Sequence, residues 1–232
     1  MDREAVVREL VALVDRPGAL VAIDGPDCAG KTMLADELAG QAFARGRCLV
    51  RVSIDGFHRP AAERRARGAL SPIGYVDDSF DLAAFRAAVL EPLAEGGSRR
   101  IVPALSDWRI EGPAEAPPID VPAGACVLVD GVFLLRSELA AAWSASVFVF
   151  ASADVVLDRA RVRDADAFGG PAAVERRYLA RYLPGQALYL TRERPHERAT
   201  VCVENSDPAA PVLSADLVAA GVAQWVEEHG GG

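Results

Sequence analysis

Eight consecutive residues, Gly25 to Thr32, have the types and spacing of a phosphate-binding loop. Their sequence, Gly-Pro-Asp-Cys-Ala-Gly-Lys-Thr, fits the pattern G-x-x-x-x-G-K-[ST]. Lys31 is the one lysine among 25 basic residues, and all the others are arginine. An ammonium on a flexible stem can reach between the β- and γ-phosphates, whereas the planar guanidinium of arginine is bulkier. The exception therefore indicates a chemical requirement for lysine at this position.

The segments on either side of the loop have the patterns that this chemistry requires. Residues 19–23 are apolar and predict a buried strand, and residues 33–44 carry apolar side chains at helical spacing. In a strand, loop and helix of this order, main-chain N–H groups face an anion at the helix N-terminus, and Thr32 places its hydroxyl on Mg²⁺. The alternative is a glycine-rich turn without a ligand. The predicted phosphate-binding residues are Gly25, Asp27, Cys28, Ala29, Gly30, Lys31 and Thr32.

Two carboxylates follow predicted strands and extend the candidate site. Asp55 follows the strand predicted at residues 48–54, and Asp130 follows the apolar run 125–129. In a parallel sheet both would lie at the same edge as the loop. Asp130 is predicted to hold Mg²⁺, and Asp55 is the preferred acid beside an acceptor hydroxyl. Asp55 could instead be a plain turn aspartate, and His58 could either contact a substrate or cap the loop.

Arginines that could neutralise a migrating phosphoryl group lie on a helix predicted at residues 154–163. Arg159 and Arg163 are four residues apart and therefore share one face of that helix. Such a pair could close over phosphates and exclude water. The alternative is a solvated face on which these arginines pair with Asp158 and Asp166.

The remaining pattern predicts an α/β fold. Strands alternate with helices, which is typical of a parallel sheet flanked by helices on both faces, with ligands at the carboxyl ends of the strands. At 232 residues the chain fits one domain. The other predicted elements are an N-terminal amphipathic helix, a long loop at residues 57–79, a helix capped by Asp81, a short strand at 100–105, an irregular segment at 111–122, strands at 146–151 and 200–203, and helices at 171–190 and 213–228.

Composition disfavours several classes of protein. The net charge of −8 and the pI near 5.0 argue against general nucleic-acid binding, so the arginines within residues 64–67 are expected to form a charged, solvated loop. The longest uncharged stretch, residues 139–153, is shorter than the about 20 residues that span a bilayer. Four widely spaced cysteines predict buried thiols in a reducing compartment. We therefore expect a cytoplasmic protein that binds neither nucleic acid nor membrane.

With these residues placed, the chain resembles the uridine kinase-like branch of the P-loop kinases, a group that also includes phosphoribulokinase and pantothenate kinase. The matching segments extend over nearly the whole chain and are residues 23–32, 53–58, 74–75, 79–81, 129–133, 159–164 and 184–189. The resemblance implies an ATP-dependent P-loop NTPase fold in which Asp55 accepts the proton of the substrate hydroxyl. It also implies that Thr32 and Asp130 organise Mg²⁺.

The resemblance further implies a helical lid at about residues 154–190, which would carry Arg159 and Arg163. Family members often have Glu where this chain has Asp130, whose side chain is one methylene shorter. Asp130 is still expected to bind the metal ion, although its shorter side chain changes the distance from the backbone to the metal.

The resemblance favours a small-molecule acceptor, with a nucleoside such as uridine or cytidine as the first hypothesis. Uridine kinases commonly use aromatic and arginine side chains to bind the pyrimidine and ribose. The loose counterparts in this chain are Phe57, His58, Tyr75, Trp108 and Arg109, and each could instead be a packing residue. Alternative acceptors are a pantothenate-like compound, a sugar or a sugar phosphate. A non-catalytic nucleotide-binding protein is an alternative function.

Two other nucleotide-binding classes fit the sequence less well. Thymidylate kinases show an Asp-Arg pair after a later strand, whereas Asp130 is followed by Gly131. A regulatory GTPase needs an Asn-Lys-x-Asp motif for guanine, and a chain with no lysine beyond Lys31 cannot contain one.

Overall fold

A computed structural model describes residues 2–231 of the chain. Its strands form one large sheet and two short ribbons. In chain order they are β1 Leu20–Asp24, β2 Leu49–Ser53, β3 Arg100–Ile101, β4 Ser106–Asp107, β5 Gly112–Pro113, β6 Ile119–Asp120, β7 Cys126–Asp130, β8 Ala145–Phe150, β9 Val201–Glu204 and β10 Val212–Leu213.

The six-stranded sheet lies at the centre of the molecule. Its strand order is β10-β9-β8-β1-β7-β2, and every neighbouring pair is parallel except β9 and β10. The predicted parallel sheet is thus confirmed, with one antiparallel edge strand that was not predicted. Strands β1, β7 and β8 are buried along their whole length, which explains why their sequences are continuous apolar runs rather than alternating ones.

The register of the sheet brings the predicted site residues to one edge. Asp130 at the end of β7 is paired with Ile23 of β1 on one side and with Ser53 of β2 on the other. The chain therefore leaves all three strands at the same edge. The loop after β1, the turn that contains Asp55 and the acid at the end of β7 are consequently neighbours in space.

Helices connect the strands. They are α1 Arg3–Val14, α2 Lys31–Ala44, α3 Ala61–Arg64, α4 Pro72–Asp78, α5 Leu82–Phe85, α6 Glu91–Leu93, α7 Ser137–Ala140, α8 Ala153–Arg163, α9 Ala165–Phe168, α10 Pro171–Arg177, α11 Leu183–Glu193, α12 Pro195–Arg198 and α13 Ala215–His229. A 3₁₀ turn covers Ile54–Phe57, and π-helical segments cover Arg86–Leu90 and Tyr178–Tyr182.

The helices cover both faces of the sheet, as predicted. Successive side chains of a strand point to opposite faces. Val149 of β8 lines a small apolar cavity together with Val7 of α1 and Leu34 of α2. The next residue, Phe150, packs edge-to-face on Trp225 of α13, with ring centroids 6.0 Å apart. Helices α1 and α2 therefore cover one face, and α13 covers the other.

Both π-helical segments end two residues before a proline. Pro92 follows the segment Arg86–Leu90, and Pro184 follows Tyr178–Tyr182. Proline has no N–H and its ring clashes with the carbonyl four residues earlier, so a regular α-helical turn cannot be completed there. The wider π turn lets the helix continue past the proline. Helices α10 and α11 and the π-helical segment between them therefore form one continuous long helix.

The prediction of a loop at residues 57–79 was wrong in part. Helices α3 and α4 lie in this segment, and Ser71 caps α4 by accepting a hydrogen bond from the amide of Gly74 at 3.0 Å. The apolar periodicity was missed because both helices are short and their neighbours are rich in Arg, Gly and Pro. The Asp81 cap is confirmed, since its carboxylate accepts from the amide of Ala84 at 2.9 Å.

The two ribbons also differ from expectation. Only the first two residues of the strand predicted at 100–105 pair in β3, and the segment 111–122, predicted to be irregular, contains β5 and β6.

The four cysteines are free thiols, three of them buried. In the part of the chain that the structure describes, no helix combines the length and apolar character needed to cross a bilayer.

Candidate active site

The loop between β1 and α2 forms a cradle of unpaired main-chain donors. The amides of Cys28, Gly30 and Lys31 donate to no protein acceptor within residues 2–231. Gly30 has φ +99° and precedes the first helical residue, Lys31. Buried N–H groups almost always have a partner, so this arrangement matches an anionic ligand. The residues present therefore fit the triphosphate tail of a nucleotide.

Lys31 is held close to the loop that it closes. Its side chain is largely buried, with 8% exposed, and its Nζ donates a hydrogen bond to the carbonyl of Pro26 at 2.6 Å. An ammonium has three donors, so two remain available for phosphate oxygens. The structure therefore places the ammonium of Lys31 beside the loop.

Two side chains remote in sequence fix the outer side of the loop. Asn205, which is buried, donates from Nδ2 to the carbonyl of Ala29 at 2.6 Å. Arg159 donates to the carbonyls of Cys28, Asn205 and Ser206 at 3.1, 2.8 and 2.9 Å. Neither residue lines the main cleft. The expectation that Arg159 closes over phosphates therefore needs correction, because main-chain carbonyls already occupy its Nη1 and Nη2 and make it a support for the loop.

Gly25 permits a close approach between the loop and the sheet. It has φ +149°, and a Cβ on this residue would lie 1.9 Å from the carbonyl oxygen of Val149. We expect Gly25→Ala to lower the free energy of unfolding by about 2–4 kcal/mol through backbone strain and overpacking. Gly40→Ala, within α2 with nothing in contact range, is the matched control and should raise stability by about 0.5–1 kcal/mol. Urea denaturation measures both values, and an unchanged midpoint for Gly25→Ala would contradict the packing argument.

Thr32 and Asp130 lie together, as a shared metal ion would require. The Thr32 hydroxyl donates to Oδ2 of Asp130 at 2.8 Å, and Asp130 is 3% exposed. Its other oxygen, Oδ1, accepts from Nη2 of Arg51 at 2.8 Å, and Arg51 also bonds Asp36. Hard oxygen donors of this kind suit Mg²⁺, which keeps several waters and uses few protein ligands. The donor set therefore fits Mg²⁺ bound together with a nucleotide.

Arg51 is a residue that the sequence analysis missed. It sits in the strand Leu-Val-Arg-Val-Ser of β2, where a charged side chain interrupts an apolar pattern. A charge in such a position is normally paired, which is the signal that was available. Its contact with Asp130 orients the carboxylate, since one oxygen is held by the guanidinium and the other remains beside Thr32.

Asp55 lies in the 3₁₀ turn after β2 and faces the cleft. Its pKa is raised, mainly because the walls of the cleft partly desolvate the carboxylate, although the residue as a whole is exposed. Nearby His58 and Lys31 lower this pKa, whereas Asp27 and Asp130 raise it. A carboxyl with a raised pKa is a better proton acceptor than an ordinary aspartate.

His58 is fixed beside Asp55. Its Nδ1 donates to the main-chain carbonyl of Asp55 at 2.9 Å, which leaves Nε2 free to face the cleft. Burial lowers the pKa of His58, and the charge of Asp55 opposes this effect. The ring packs against Phe80 with a centroid separation of 4.4 Å. The ring thus secures the turn and also lines the cleft, and a contact of His58 with a substrate stays a prediction.

A cleft of about 720 Å³ opens in front of the loop and Asp55. Of the residues singled out from the sequence, it is lined by Asp27, Asp55, His58, Tyr75, Trp108, Arg109 and Arg163. Tyr75 donates its hydroxyl to Asp27 and accepts from Nε2 of Gln186 at 2.9 Å, so it links the phosphate loop to α11.

Phe57 is a correction to the predicted substrate set. Its side chain is 1% exposed and packs edge-to-face on Phe85, with ring centroids 5.1 Å apart. It therefore belongs to the hydrophobic core. The 3₁₀ turn directs Asp55 and His58 to the cleft and Phe57 inward, a direction that residue type alone does not reveal.

The arginines of residues 64–67 were expected in a charged, solvated loop, and Arg65 and Arg67 are exposed. Arg64 differs from this expectation, because it is the last residue of α3 and its side chain is mostly buried. Both Arg64 and Arg65 line the cleft. The predicted lid region contributes Arg163, Asp164 and Arg177 to the same cleft. Of these three residues, the sequence analysis named only Arg163 as a candidate site residue. The charged residues come together only because α3 and α10 meet at one cleft.

Arg163 has a partner within its own segment. It donates to Asp164 from Nε and Nη2 at 2.6 and 2.9 Å, and the hydroxyl of Tyr178 donates to the same carboxylate at 2.7 Å. Its remaining nitrogen, Nη1, has no protein acceptor within residues 2–231. Arg163 can therefore reach an anion in the cleft while its position stays fixed. That the surrounding helices move as a lid remains a prediction.

A buried aspartate connects the loop to two other segments. Asp24, at the end of β1, accepts from the amides of Gly25 and Leu135 at 2.7 and 2.9 Å and from the hydroxyl of Tyr189 on α11. Burial raises its pKa, and these hydrogen bonds oppose the rise. The start of the phosphate loop is thus tied to both the segment after β7 and the long helix.

Comparison with known proteins supports the fold. No family model and no curated protein matches the sequence. Among solved structures, a possible uridine kinase from Bacillus stearothermophilus is similar over 86% of this chain and 96% of its own, with 18% identity and a TM-score of 0.67. A "putative fructose transport system kinase" from Silicibacter sp. TM1040 is similar over 86% and 95%, with 23% identity and a TM-score of 0.64.

A third solved structure, D-glycerate 3-kinase from Cryptococcus neoformans var. grubii, is similar over 78% of this chain and 87% of its own, with 16% identity and a TM-score of 0.52. At these identities the likeness concerns the fold. The sheet, the loop between β1 and α2 and the flanking helices therefore have the same fold as these three solved structures.

Proposed function

We propose that the protein transfers the γ-phosphoryl group of ATP to a hydroxyl of a small metabolite. The observation that carries this proposal is the convergence at one sheet edge of a cradle of unpaired amides, Lys31, a Thr32–Asp130 pair and the carboxyl of Asp55 beside a cleft. Phosphoryl transfer needs positioning and charge neutralisation more than covalent chemistry from the protein. Each of these groups supplies one such element.

The residues have distinct tasks in this proposal. Asp55 accepts the proton of the acceptor hydroxyl as the oxygen forms its bond to the γ-phosphorus, and the bond from that phosphorus to the β,γ-bridging oxygen breaks, releasing ADP. Lys31 and the loop amides hold the phosphate oxygens. Arg163, which lines the cleft and interacts electrostatically with Cys28 and Asp27 of the loop, adds positive charge. Thr32 and Asp130 would hold Mg²⁺, which when bound neutralises charge on the β- and γ-phosphates.

The nucleoside acceptor remains one candidate within this function. Flat surfaces for a base exist at Trp108 and His58, whose ring centroids are 6.1 Å apart. The predicted set is nevertheless smaller than expected, because Phe57 is part of the core. The similar solved structures include a possible uridine kinase, a fructose transport system kinase and a glycerate kinase, so sugars and small acids belong in the same test.

The direct test measures ADP release from ATP and Mg²⁺ with a panel of nucleosides, sugars, sugar phosphates and hydroxy acids. We expect at least one acceptor to raise ADP release about 100-fold or more above the rate with water alone. Calorimetry with MgATP in the absence of acceptor is the accompanying measurement. Binding of MgATP without turnover on any acceptor would favour a non-catalytic nucleotide-binding protein, and absence of binding would contradict the proposal.

The raised pKa of Asp55 predicts a shifted acid limb in the pH profile. The carboxylate is the active form of a base, so activity is lost as pH falls through its pKa. Because partial desolvation in the cleft raises that pKa, the loss should begin at a higher pH than for an ordinary aspartate, whose pKa is about 3.9. The measurement is kcat/KM for the acceptor at saturating MgATP between about pH 4 and pH 9. A flat profile down to pH 4 would contradict the assignment.

A further inference from the structure

The cleft has a basic end that the phosphoryl transfer does not require. The arginines that line it are Arg64, Arg65, Arg109 and Arg177. Asp55 interacts electrostatically with Lys31 and with His58. His58 interacts in turn with Arg64. Arg64 therefore lies near His58, which is itself beside Asp55.

Few carboxylates neutralise this end of the cleft. Glu111 accepts two hydrogen bonds from Arg64, at 2.8 and 2.9 Å, and lies 3.7 Å from Arg65. One carboxylate thus serves two guanidinium groups. Arg109 has only a 3.9 Å contact with Asp107. Within residues 2–231, no carboxylate lies within 4.0 Å of Arg177.

Aromatic rings hold two of these arginines in defined positions. The guanidinium of Arg109 lies 5.0 Å from the centroid of Trp108, and that of Arg177 lies 4.4 Å from the centroid of Phe168. A guanidinium whose face rests on a ring keeps its N–H edge free for a planar or tetrahedral oxyanion. Such residues are ready to bind an anion with little further ordering.

A buried arginine adds to the positive charge beneath this wall. Arg181 is 6% exposed and donates to the carbonyls of Ala69 and Ser71 at 3.1 and 3.3 Å. It repels Arg177 and Arg64 electrostatically. Like charges gathered in a cleft repel one another, and a bound anion relieves that repulsion. This local excess of positive charge occurs in a chain whose net charge is −8.

We propose that this basic end binds a carboxylate or phosphate group of the acceptor, so that the substrate is an anionic compound whose hydroxyl lies at Asp55. The inference rests on the proposed function and specifies its substrate class. A neutral nucleoside would leave Arg177 without a counter-charge, and it would leave Arg65 and Arg109 with only their longer contacts to Glu111 and Asp107. The carboxylate and the phosphate share the same oxyanion chemistry, and the experiment separates them.

The test compares acceptors in matched acid and neutral pairs. The pairs are D-glycerate with glycerol, pantothenate with panthenol, and ribose 5-phosphate with ribose, and uridine and cytidine are added as neutral nucleosides. We expect the acid of at least one pair to exceed its neutral partner about 100-fold in kcat/KM. Arg109→Gln and Arg177→Gln should each raise KM for that acid about tenfold with little change in kcat. Arg176→Gln, on the exposed side of the same helix, is the matched control and should leave both constants unchanged.

A second measurement makes the outcome independent of turnover. Trp108 lines the cleft, so quenching of its fluorescence reports binding, and Trp108→Phe identifies its share of the signal. Saturable quenching by an acid that weakens with added salt and in Arg177→Gln supports the proposal even if no acceptor is phosphorylated. If a neutral nucleoside is the best acceptor and is indifferent to the arginine variants, this inference is overturned while the proposed function stands. If no acid binds at about 10 mM, where even weak metabolite sites fill, the inference is equally overturned.

Discussion

Lys31→Arg should reduce kcat about 1,000-fold while the protein keeps its fold. Lys31 lies beneath the loop with its Nζ 2.6 Å from the carbonyl of Pro26, and its side chain is 8% exposed. A planar guanidinium cannot occupy that space and still direct a compact charge at the phosphate oxygens. Loss of one preorganised donor to a developing charge costs about 10²–10³ in rate, and displacement of the loop adds to this.

Two measurements separate this loss from a loss of structure. Circular dichroism and thermal unfolding should give a native spectrum and a melting temperature close to that of the wild type. Lys31→Met, which keeps the apolar stem and removes the charge, should be equally impaired in turnover. If Lys31→Arg turned over at the wild-type rate, the chain's exceptional lysine would have no catalytic meaning, and the assignment of the loop would lose its strongest support.

Asp55→Asn should abolish most phosphoryl transfer without weakening the binding of MgATP. The amide has the shape of the carboxyl but cannot accept the proton of the acceptor hydroxyl, so we expect a loss of about 10²–10⁴ in kcat. MgATP affinity by calorimetry should stay within about threefold of the wild type, because the loop amides, Lys31, Thr32 and Asp130 are unchanged. The acid limb of the pH profile should disappear from the residual activity.

The stability of Asp55→Asn gives an independent check. Because folding raises the pKa of Asp55, the ionised carboxylate is disfavoured in the folded state, and the stability present below the unfolded pKa is lost as pH rises through the folded pKa. At pH 7 the neutral amide should therefore melt at the same temperature as the wild type or higher. Asp216→Asn, exposed on α13 and outside the cleft, is the control for activity. Retained turnover in Asp55→Asn would place the base elsewhere.

Support for the loop extends well beyond the residues that we propose to contact phosphate. Asn205 and Arg159 hold its outer carbonyls, and Tyr75 holds Asp27 from the side of the cleft. Asp24 connects its first residue to Tyr189 on the long helix. Because these hydrogen bonds join the helix to the loop, movement of the helix would displace the loop. The predicted lid would in this way change the position of the groups proposed to bind phosphate.

The local sequence determined the phosphate loop, the order of strands and helices, and the acids Asp55 and Asp130. These features depend on residues close together in the chain, and parallel strands necessarily present their carboxyl ends at one edge. Short-range patterns therefore sufficed to place Lys31, Thr32 and both acids at one site.

Only the tertiary structure decided which distant residues meet. The bond from Asn205 to Ala29 joins residues 176 positions apart, and that from Arg51 to Asp130 joins residues 79 apart. The inward direction of Phe57 and the shared cleft of Arg64 and Arg177 likewise follow from how remote helices and turns pack. Such contacts leave no local pattern, because the direction of a side chain is set by the space that the rest of the chain leaves to it.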